Sequence, residues 1–267
     1  MLIAQLSDLH ICSGRGMISG VVDTSTMLER AIKHLLAFAP RPDAIVITGD
    51  LVESGSKADY LALREILQPI LELKHTMPCY LLVGNHDDRK QLHTVFDDLS
   101  YLKQDADFIQ YSIALGPLKL IALDTVVPRV SYGDLCANRL AWFDAELRGD
   151  QRPTIVAMHH PPFTVGIAAM DVMGLVARKE FESVVCKYSH IERIVCGHVH
   201  RAIQAKVGNC AVAVCPSVAH QVNLDLETVS RVKIVLEPPG YYLHWWNGQQ
   251  LVTHQVAVGD YGEALFA

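Results

Sequence analysis

Apolar positions recur along this chain in two rhythms, one of strand length and one of helical spacing. Leu2 to Leu6 is a short apolar run, read as a strand. Leu28, Ile32, Leu35 and Ala39 then give a helix one apolar face, with Thr26 and Glu29 spaced as a capping box and Pro40 and Pro42 closing it. Ala44 to Asp50, AIVITGD, reads as a buried strand that delivers a carboxylate at its end. Ser56 and Asp59 make a second capping-box spacing, followed by Tyr60, Leu63, Leu67 and Ile70 on one helical face. Cys79 to Val83 is a third buried strand. The order β-α-β-α-β with helical connections predicts a parallel sheet flanked by helices.

Further on, Tyr111 to Leu115 and Leu118 to Leu123 form a hairpin around Gly116-Pro117. Leu140 to Leu147 is helical, Pro153 to Met158 a strand, residues near 175–187 a helix, and Ile191 to Cys196 a strand. The remainder alternates short strands at 202–207, 210–215, 231–236, 241–246 and 251–256, expected to contribute a second sheet. Residues 126–138 and 163–174 break the pattern and are read as lid segments within a single domain over 1–267.

Composition narrows the class. Half of the 267 residues are hydrophobic and 19% are charged, enough for a sizeable core. The net charge of −6, with basic residues scattered, argues against a nucleic-acid or acidic-membrane binder. A small phosphate substrate stays open, because a bound metal reverses the local field. Seven cysteines without a Cys-x-x-Cys pair predict reduced thiols in a cytoplasmic protein. Met1 opens directly into strand-like sequence, with no charged leader, and no apolar run reaches transmembrane length.

The 13 histidines are the second signal. Five short motifs stand just past the ends of apolar strands: Asp8-x-His10, Gly49-Asp50, Gly84-Asn85-His86-Asp87, His159-His160 and Gly197-His198-x-His200. Each alone is ordinary, since an Asp after a strand is usually a turn residue and a single His is usually structural. Jointly they place many polar groups on one rim of a sheet, where burial without a partner is costly. Imidazole, carboxylate and amide oxygen without thiolate suit Fe, Zn, Mn or Co.

The motifs DLH, GDLVESG, GNHDD, HHPP and GHVH, in that order over Leu2 to His200, resemble the calcineurin-like metallophosphoesterases, with a weaker echo at Pro216 to Val222. The match is nearest to the bacterial branch of cyclic-nucleotide and glycerophosphodiester phosphodiesterases. The resemblance implies a four-layer α/β/β/α sandwich with two mixed sheets flanked by helices. It also implies two divalent metal ions. Asp8, His10 and His200 would hold one, Asn85, His159 and His198 the other, and Asp50 would bridge them. His86 would stay off the metals, beside the phosphoryl oxygens, as charge stabiliser or proton donor. His160 would be structural. His220 would lie near the substrate, and Met170, Asp171 and Asn223 would line the pocket. Cys12 reads as a small buried residue.

The expected reaction is hydrolysis of a small phosphodiester, a 3′,5′-cyclic nucleotide or a glycerophosphodiester, by in-line attack of a hydroxide bridging the metals. Protein phosphatases of the superfamily carry an Asp-Arg pair after Gly-Asp-x-Val, whose arginine clamps a doubly charged phosphate. Glu53 and Ser54 stand there instead, which favours a diester over a monoester. A non-catalytic scaffold would have lost ligand positions, yet all seven and His86 are present. The aromatic run Tyr241 to Trp246 predicts a homo-oligomer.

Overall fold

The computed structural model describes residues 1–227 and 231–262. Strand β1 (Leu2–Leu6) leads through helix α1 (Thr24–Ala37) to β2 (Ala44–Ile47), and α2 (Lys57–Leu71) leads to β3 (Cys79–Leu81). β1, β2 and β3 pair in parallel, as their helical connections require. α3 (Arg89–Val95) then passes the chain to β4 (Tyr111–Leu115) and β5 (Leu118–Leu123), the antiparallel hairpin at Gly116. α4 (Ala137–Gly149), β6 (Thr154–Met158), the short α5 (Ala168–Asp171), α6 (Arg178–Val185) and β7 (Ile191–Cys196) follow.

The chain finishes with β8 (Ile203–Val207), β9 (Cys210–Val214), β10 (Gln221–Val222), β11 (Ile234–Val235), β12 (Gly240–Trp246) and β13 (Leu251–Ala257). These late strands do not make a sheet of their own, contrary to the expectation from the sequence. β8 and β9 extend a six-stranded sheet in the order β4-β5-β6-β7-β9-β8, whereas β12 and β13 complete a five-stranded sheet, β13-β12-β1-β2-β3. The strand expected over 231–236 is only Ile234–Val235, paired with Gln221–Val222. Both large sheets are mixed.

Alternation along the second sheet shows the layering. Leu120, Ala122, Ile155, Ala157 and Val195 pack into the core shared with the first sheet. Their neighbours Ile121, Leu123, Val156, Met158 and Ile194 face the opposite way, against Phe143 and Leu147 of α4 and Phe181, Val184 and Val185 of α6. Leu28, Ala31, Ile32 and Leu35 of α1 and Tyr60, Leu63, Leu67 and Ile70 of α2 cover the first sheet. The result is the four-layer α/β/β/α sandwich. Where the two sheets meet, the Gln5 amide donates to Thr48 Oγ1 and to the Cys196 carbonyl. His244 lies 3.0 Å from Gln5 Oε1, and burial pushes its imidazole down to about 3, so it packs as a neutral ring.

Helix starts follow local chemistry with one revision. Ser56 caps α2 by accepting from the Asp59 N–H, as its spacing predicts. α1 starts earlier than expected: Asp23 caps it by accepting from Thr26 N, so the Thr26–Glu29 spacing is not its cap. Ala39 lies past the end of that helix, and Ala31 fills its buried face.

Among the described residues, three of the four edges of the two large sheets are blunted. The Tyr101 hydroxyl bonds to Leu81 N and Cys79 O along β3, the Gln104 side chain bonds to both main-chain groups of Ser112 on β4, and β8 exposes Lys206. Among the described residues, no helix is long and apolar enough to cross a membrane.

Candidate metal centre

The carboxyl ends of β1, β2, β3, β6 and β7 meet at one rim, and each carries one of the five motifs just beyond it. The loops after β1 and β2 are laced together, with Asp8 N donating to Gly49 O and both Leu9 N and His10 N donating to Asp50 O. That lacing holds the backbone in unusual shapes. Eight non-glycine residues among those described have positive φ, and five of them are here: Asp8 (55°), His10 (48°), Asp50 (48°), His198 (72°) and His200 (52°). Left-handed backbone at such residues costs on the order of 1–3 kcal/mol each and gathers at functional sites.

Hydrogen bonds fix which imidazole nitrogen faces inward. His10 Nδ1 lies 2.8 Å from Glu53 Oε2, His159 Nδ1 2.8 Å from the Thr48 carbonyl, and His200 Nδ1 3.0 Å from the His220 carbonyl. Each of these partners only accepts, so each Nδ1 carries the proton and each Nε2 presents a lone pair. The three lone pairs point at other acceptors. His10 Nε2 and His200 Nε2 are 3.0 Å apart, and His200 Nε2 is 3.5 Å from Asp8 Oδ1. Asp50 Oδ2 lies between two rings, 3.5 Å from His10 Nε2 and 3.4 Å from His159 Nε2, and Asn85 Oδ1 is 3.2 Å from that same His159 atom. Both ring nitrogens of His198 are buried with no hydrogen-bond partner. Acceptors facing acceptors in a buried pocket need cations between them, and metal-bound imidazoles in proteins donate their other nitrogen in this way.

The electrostatics agree. Burial works against charge on His159, yet Asp50 and Asp8 push it up to about 9. Burial, with His159 or His10 beside them, pushes His198 and His200 down to about 3. Burial also opposes ionisation of Asp50, but His159 and His10 hold it well below the usual carboxylate range. The pocket thus demands positive charge that its own rings cannot all supply, and metal ions take the place of those protons.

His86 belongs to the same cluster in a different way. Its N–H donates to Asp50 Oδ1 at 2.9 Å, its Nδ1 lies 2.8 Å from the Glu53 carbonyl, and its ring meets His10 edge-on. Nε2 is left for the cleft, a cavity of about 230 Å³ lined by His10, Asp50, Glu53, Asn85, His86 and His220 among others.

His160 packs its ring against those of His159 and His198, and both its nitrogens have partners, Thr125 Oγ1 at 2.7 Å and the Ser131 carbonyl at 3.2 Å. His220 and Met170 reach the cleft as expected. Asp171 and Asn223 do not line it. The Asp171 carboxylate instead accepts from Val165 N and Gly166 N, and Asn223 N pairs with Lys233 O beside the hairpin of β10 and β11. Cys12 is half-buried rather than buried.

Comparison with known proteins identifies this architecture. Residues 1–202 match the family model described as calcineurin-like phosphoesterase. The chain belongs to the calcineurin-like phosphoesterases. It is 31% identical over 264 residues to a protein of Arcobacter nitrofigilis named probable glycerophosphodiester phosphodiesterase, covering 98% of this chain and 94% of that one. It is 28% identical over 243 residues to a 3′,5′-cyclic-nucleotide phosphodiesterase of Nostoc sp., covering 90% and 86%. In fold it is similar to a dimetal phosphatase from Danio rerio, with a TM-score of 0.69 and 13% identity over 97% of this chain and 99% of that one. The Asp and His cluster of this calcineurin-like phosphoesterase fits divalent metal ions.

The contacts of three residues of the phosphoesterase site escape the motif reading. Glu53 accepts from His10 and presents its carbonyl to His86, so one residue orients two rings. Asp87 accepts from Gly84 N, Leu51 N and the Tyr60 hydroxyl, tying the Asp50 loop to the Asn85 loop. Ser217 Oγ donates to the Asp8 carbonyl across 209 residues. Glu53 and Asp87 stand inside GDLVESG and GNHDD, and Ser217 inside the echo at Pro216 to Val222, so the sequence marks their positions but not these contacts.

Gly84 shows how tightly the loops pack. A β-carbon there would collide with Asp50 N and Oδ1 and with the His159 ring. Gly84→Ala is therefore expected to lower the melting temperature by about 10 °C, corresponding to a few kcal/mol for a core clash, and to weaken metal retention. Differential scanning fluorimetry and metal analysis of the purified variant check both.

Proposed function

We propose that this calcineurin-like phosphoesterase is a phosphodiesterase that hydrolyses small phosphodiesters with two divalent metal ions. The observation that carries the reading is the Asp50 carboxylate, set between His10 Nε2 and His159 Nε2 in a pocket of acceptors without protons. Asp8, His10 and His200 would hold one ion, Asn85, His159 and His198 the other, and Asp50 both. Their ligand types suit Fe, Zn, Mn or Co. When bound, such ions neutralise a phosphodiester's negative charge and make water nucleophilic near neutral pH.

The chain's own residues do the rest. Glu53, Thr48 and the His220 carbonyl hold three imidazoles in one tautomer and orientation. The Asn85 amide and the His86 ring border the space for the phosphoryl oxygens. Protonated at Nε2, His86 hands that proton to the departing alkoxide, and its Nδ1–H stays on the Glu53 carbonyl. Residues 126–138 and 163–174 would act as lids of a single domain. Ser131, Met170 and Met173 wall the cleft, and Gly133 pairs with Gly174 and Val176 to join the two segments.

A diester is favoured over a monoester because, among the described residues, no lysine or arginine lines the cleft to clamp a second negative charge. The named relatives, one a glycerophosphodiester and one a cyclic-nucleotide phosphodiesterase, support the same class. With the metal-loaded enzyme, kcat/KM for bis-p-nitrophenyl phosphate should exceed that for p-nitrophenyl phosphate by about tenfold or more, the scale of one charge-assisted clamp. Equal or reversed values would contradict the reading. The alternatives, a monoesterase or a non-catalytic scaffold, are not favoured.

Seven free cysteines fit the reducing conditions of the cytoplasm, where we place the protein. We also infer self-association. The edge of β13, LVTHQVA, has no Lys, Pro, Gly or fixed charge, unlike the blunted edges elsewhere, and Trp245 beside it is 47% exposed. Gln255→Pro is expected to convert a dimer to a monomer on size exclusion with light scattering. A wild-type monomer would exclude the association.

A further inference from the structure

The cleft has a polar floor and an apolar rim. Its floor is the imidazole and carboxylate cluster. Its rim is built from three separate segments: Ile18 in the loop before α1, Met170 and Met173 from α5 and the turn after it, and Val222, Val232 and Ile234 from the hairpin of β10 and β11. Met170 is 5% and Val222 is 4% exposed, whereas Val232 is 42% exposed at the mouth. The hairpin is held down: Arg201, one residue past His200, donates to the Val222 carbonyl at 2.6 Å and pairs with Glu237 at 3.1 Å. Met170 is fixed by its N–H on the Ile167 carbonyl. This apolar ring is thus pre-formed around a phosphate-sized polar floor.

A metal-neutralised floor accounts for the phosphoryl group of any diester. It says nothing about the arm of the substrate that stays on phosphorus. Among the lining residues the rim offers that arm no carboxylate beyond Glu53, which is already engaged with His10 and faces His86. It offers six apolar side chains. Burial of apolar surface favours an arm that is itself apolar, and methionine side chains adapt well to flat rings. The 230 Å³ cavity falls below the usual range for drug-sized ligands, so the subsite has room for one ring and not for a long chain.

We propose that Ile18, Met170, Met173, Val222, Val232 and Ile234 form a specificity subsite for an uncharged, ring-sized ester arm, so that diesters bearing such an arm are preferred over those with a small or cationic arm. The proposal rests on the phosphodiesterase reading. It refines that reading, because the names of the two relatives imply retained arms that differ in this property: a nucleoside carries a neutral ring, whereas a glycerophosphodiester keeps glycerol, small and polar, when its head group leaves.

The test keeps the leaving group constant. Three p-nitrophenyl diesters, with phenyl, methyl or choline as the retained arm, are compared on the metal-loaded enzyme. The phenyl ester is expected to show about tenfold higher kcat/KM than either of the others, carried mainly by KM. Binding is read without turnover by calorimetry with diphenylphosphinate and dimethylphosphinate, which keep the single negative charge but have no ester to cleave. Diphenylphosphinate is expected to bind about tenfold tighter, and Val232→Ser and Ile234→Ser to narrow that gap several-fold. Equal affinities, or a choline ester that leads the series, overturn the subsite while leaving the phosphodiesterase reading intact. Hydrolysis of none of the three, with the phosphinate difference retained, overturns the phosphodiesterase reading and keeps the subsite.

Discussion

Asp50→Ala is expected to lower kcat by about 10³-fold or more, the scale of deleting a central catalytic group, and to leave the purified protein short of at least one metal ion. The reason is geometric. One oxygen of Asp50 stands between His10 and His159, and the other accepts the His86 N–H, so this carboxylate reaches an imidazole Nε2 of each half of the cluster. Removing it leaves the lone pairs of His10, His159 and His200 with less negative charge to share a cation with, and frees the loop that carries His86. Asp50→Asn separates the two effects. The amide oxygen still accepts from His86 N, so the loop should stay in place, but the charge is gone. It should therefore fold with a melting temperature near that of the parent and still lose metal. Elemental analysis alongside steady-state kinetics reads both variants, and a fully metallated Asp50→Ala would remove the bridging role.

His86→Ala is expected to keep both metals and lose about 10²- to 10⁴-fold in kcat, the usual range for a general acid. Its ring is 36% exposed on the cleft side and anchored by a main-chain carbonyl rather than by any cluster ligand. The size of the loss should follow the leaving group. A p-nitrophenolate departs without a proton and should suffer least, while an alkoxide needs one and should suffer most. That dependence separates proton donation from simple electrostatic stabilisation, which would depress all substrates alike. If His86→Ala instead lost metal while turnover per bound metal stayed intact, the assigned role would be wrong.

Much of this site was legible in the sequence because one rule places it. In parallel sheets the carboxyl ends of strands collect at one rim, so Asp8, Asp50, Asn85, His159 and His198 converge even though up to 190 residues separate them. Apolar runs of strand length likewise located β1 to β7 closely. The rest depended on tertiary contacts that no local pattern encodes. β12 returns to pair with β1, with Leu2 opposite Trp245, so the last strands divide between two sheets. Asp23 rather than Thr26 caps α1, because Asp23 Oδ1 already lies on Thr26 N. Glu53 was read only as a missing arginine clamp, while its carboxylate orients His10. Asp171 was expected in the pocket and instead accepts from two main-chain N–H groups of its own loop.

Diffraction from crystals of the metal-loaded protein, recorded at the absorption edge of the metal supplied, tests the central claim most directly. Two anomalous peaks per chain are predicted, roughly 3.5–4 Å apart as in two-metal hydrolases. One should touch Asp8, His10 and His200 and the other Asn85, His159 and His198, with Asp50 reaching both. A single peak, or peaks away from Asp50, would contradict it.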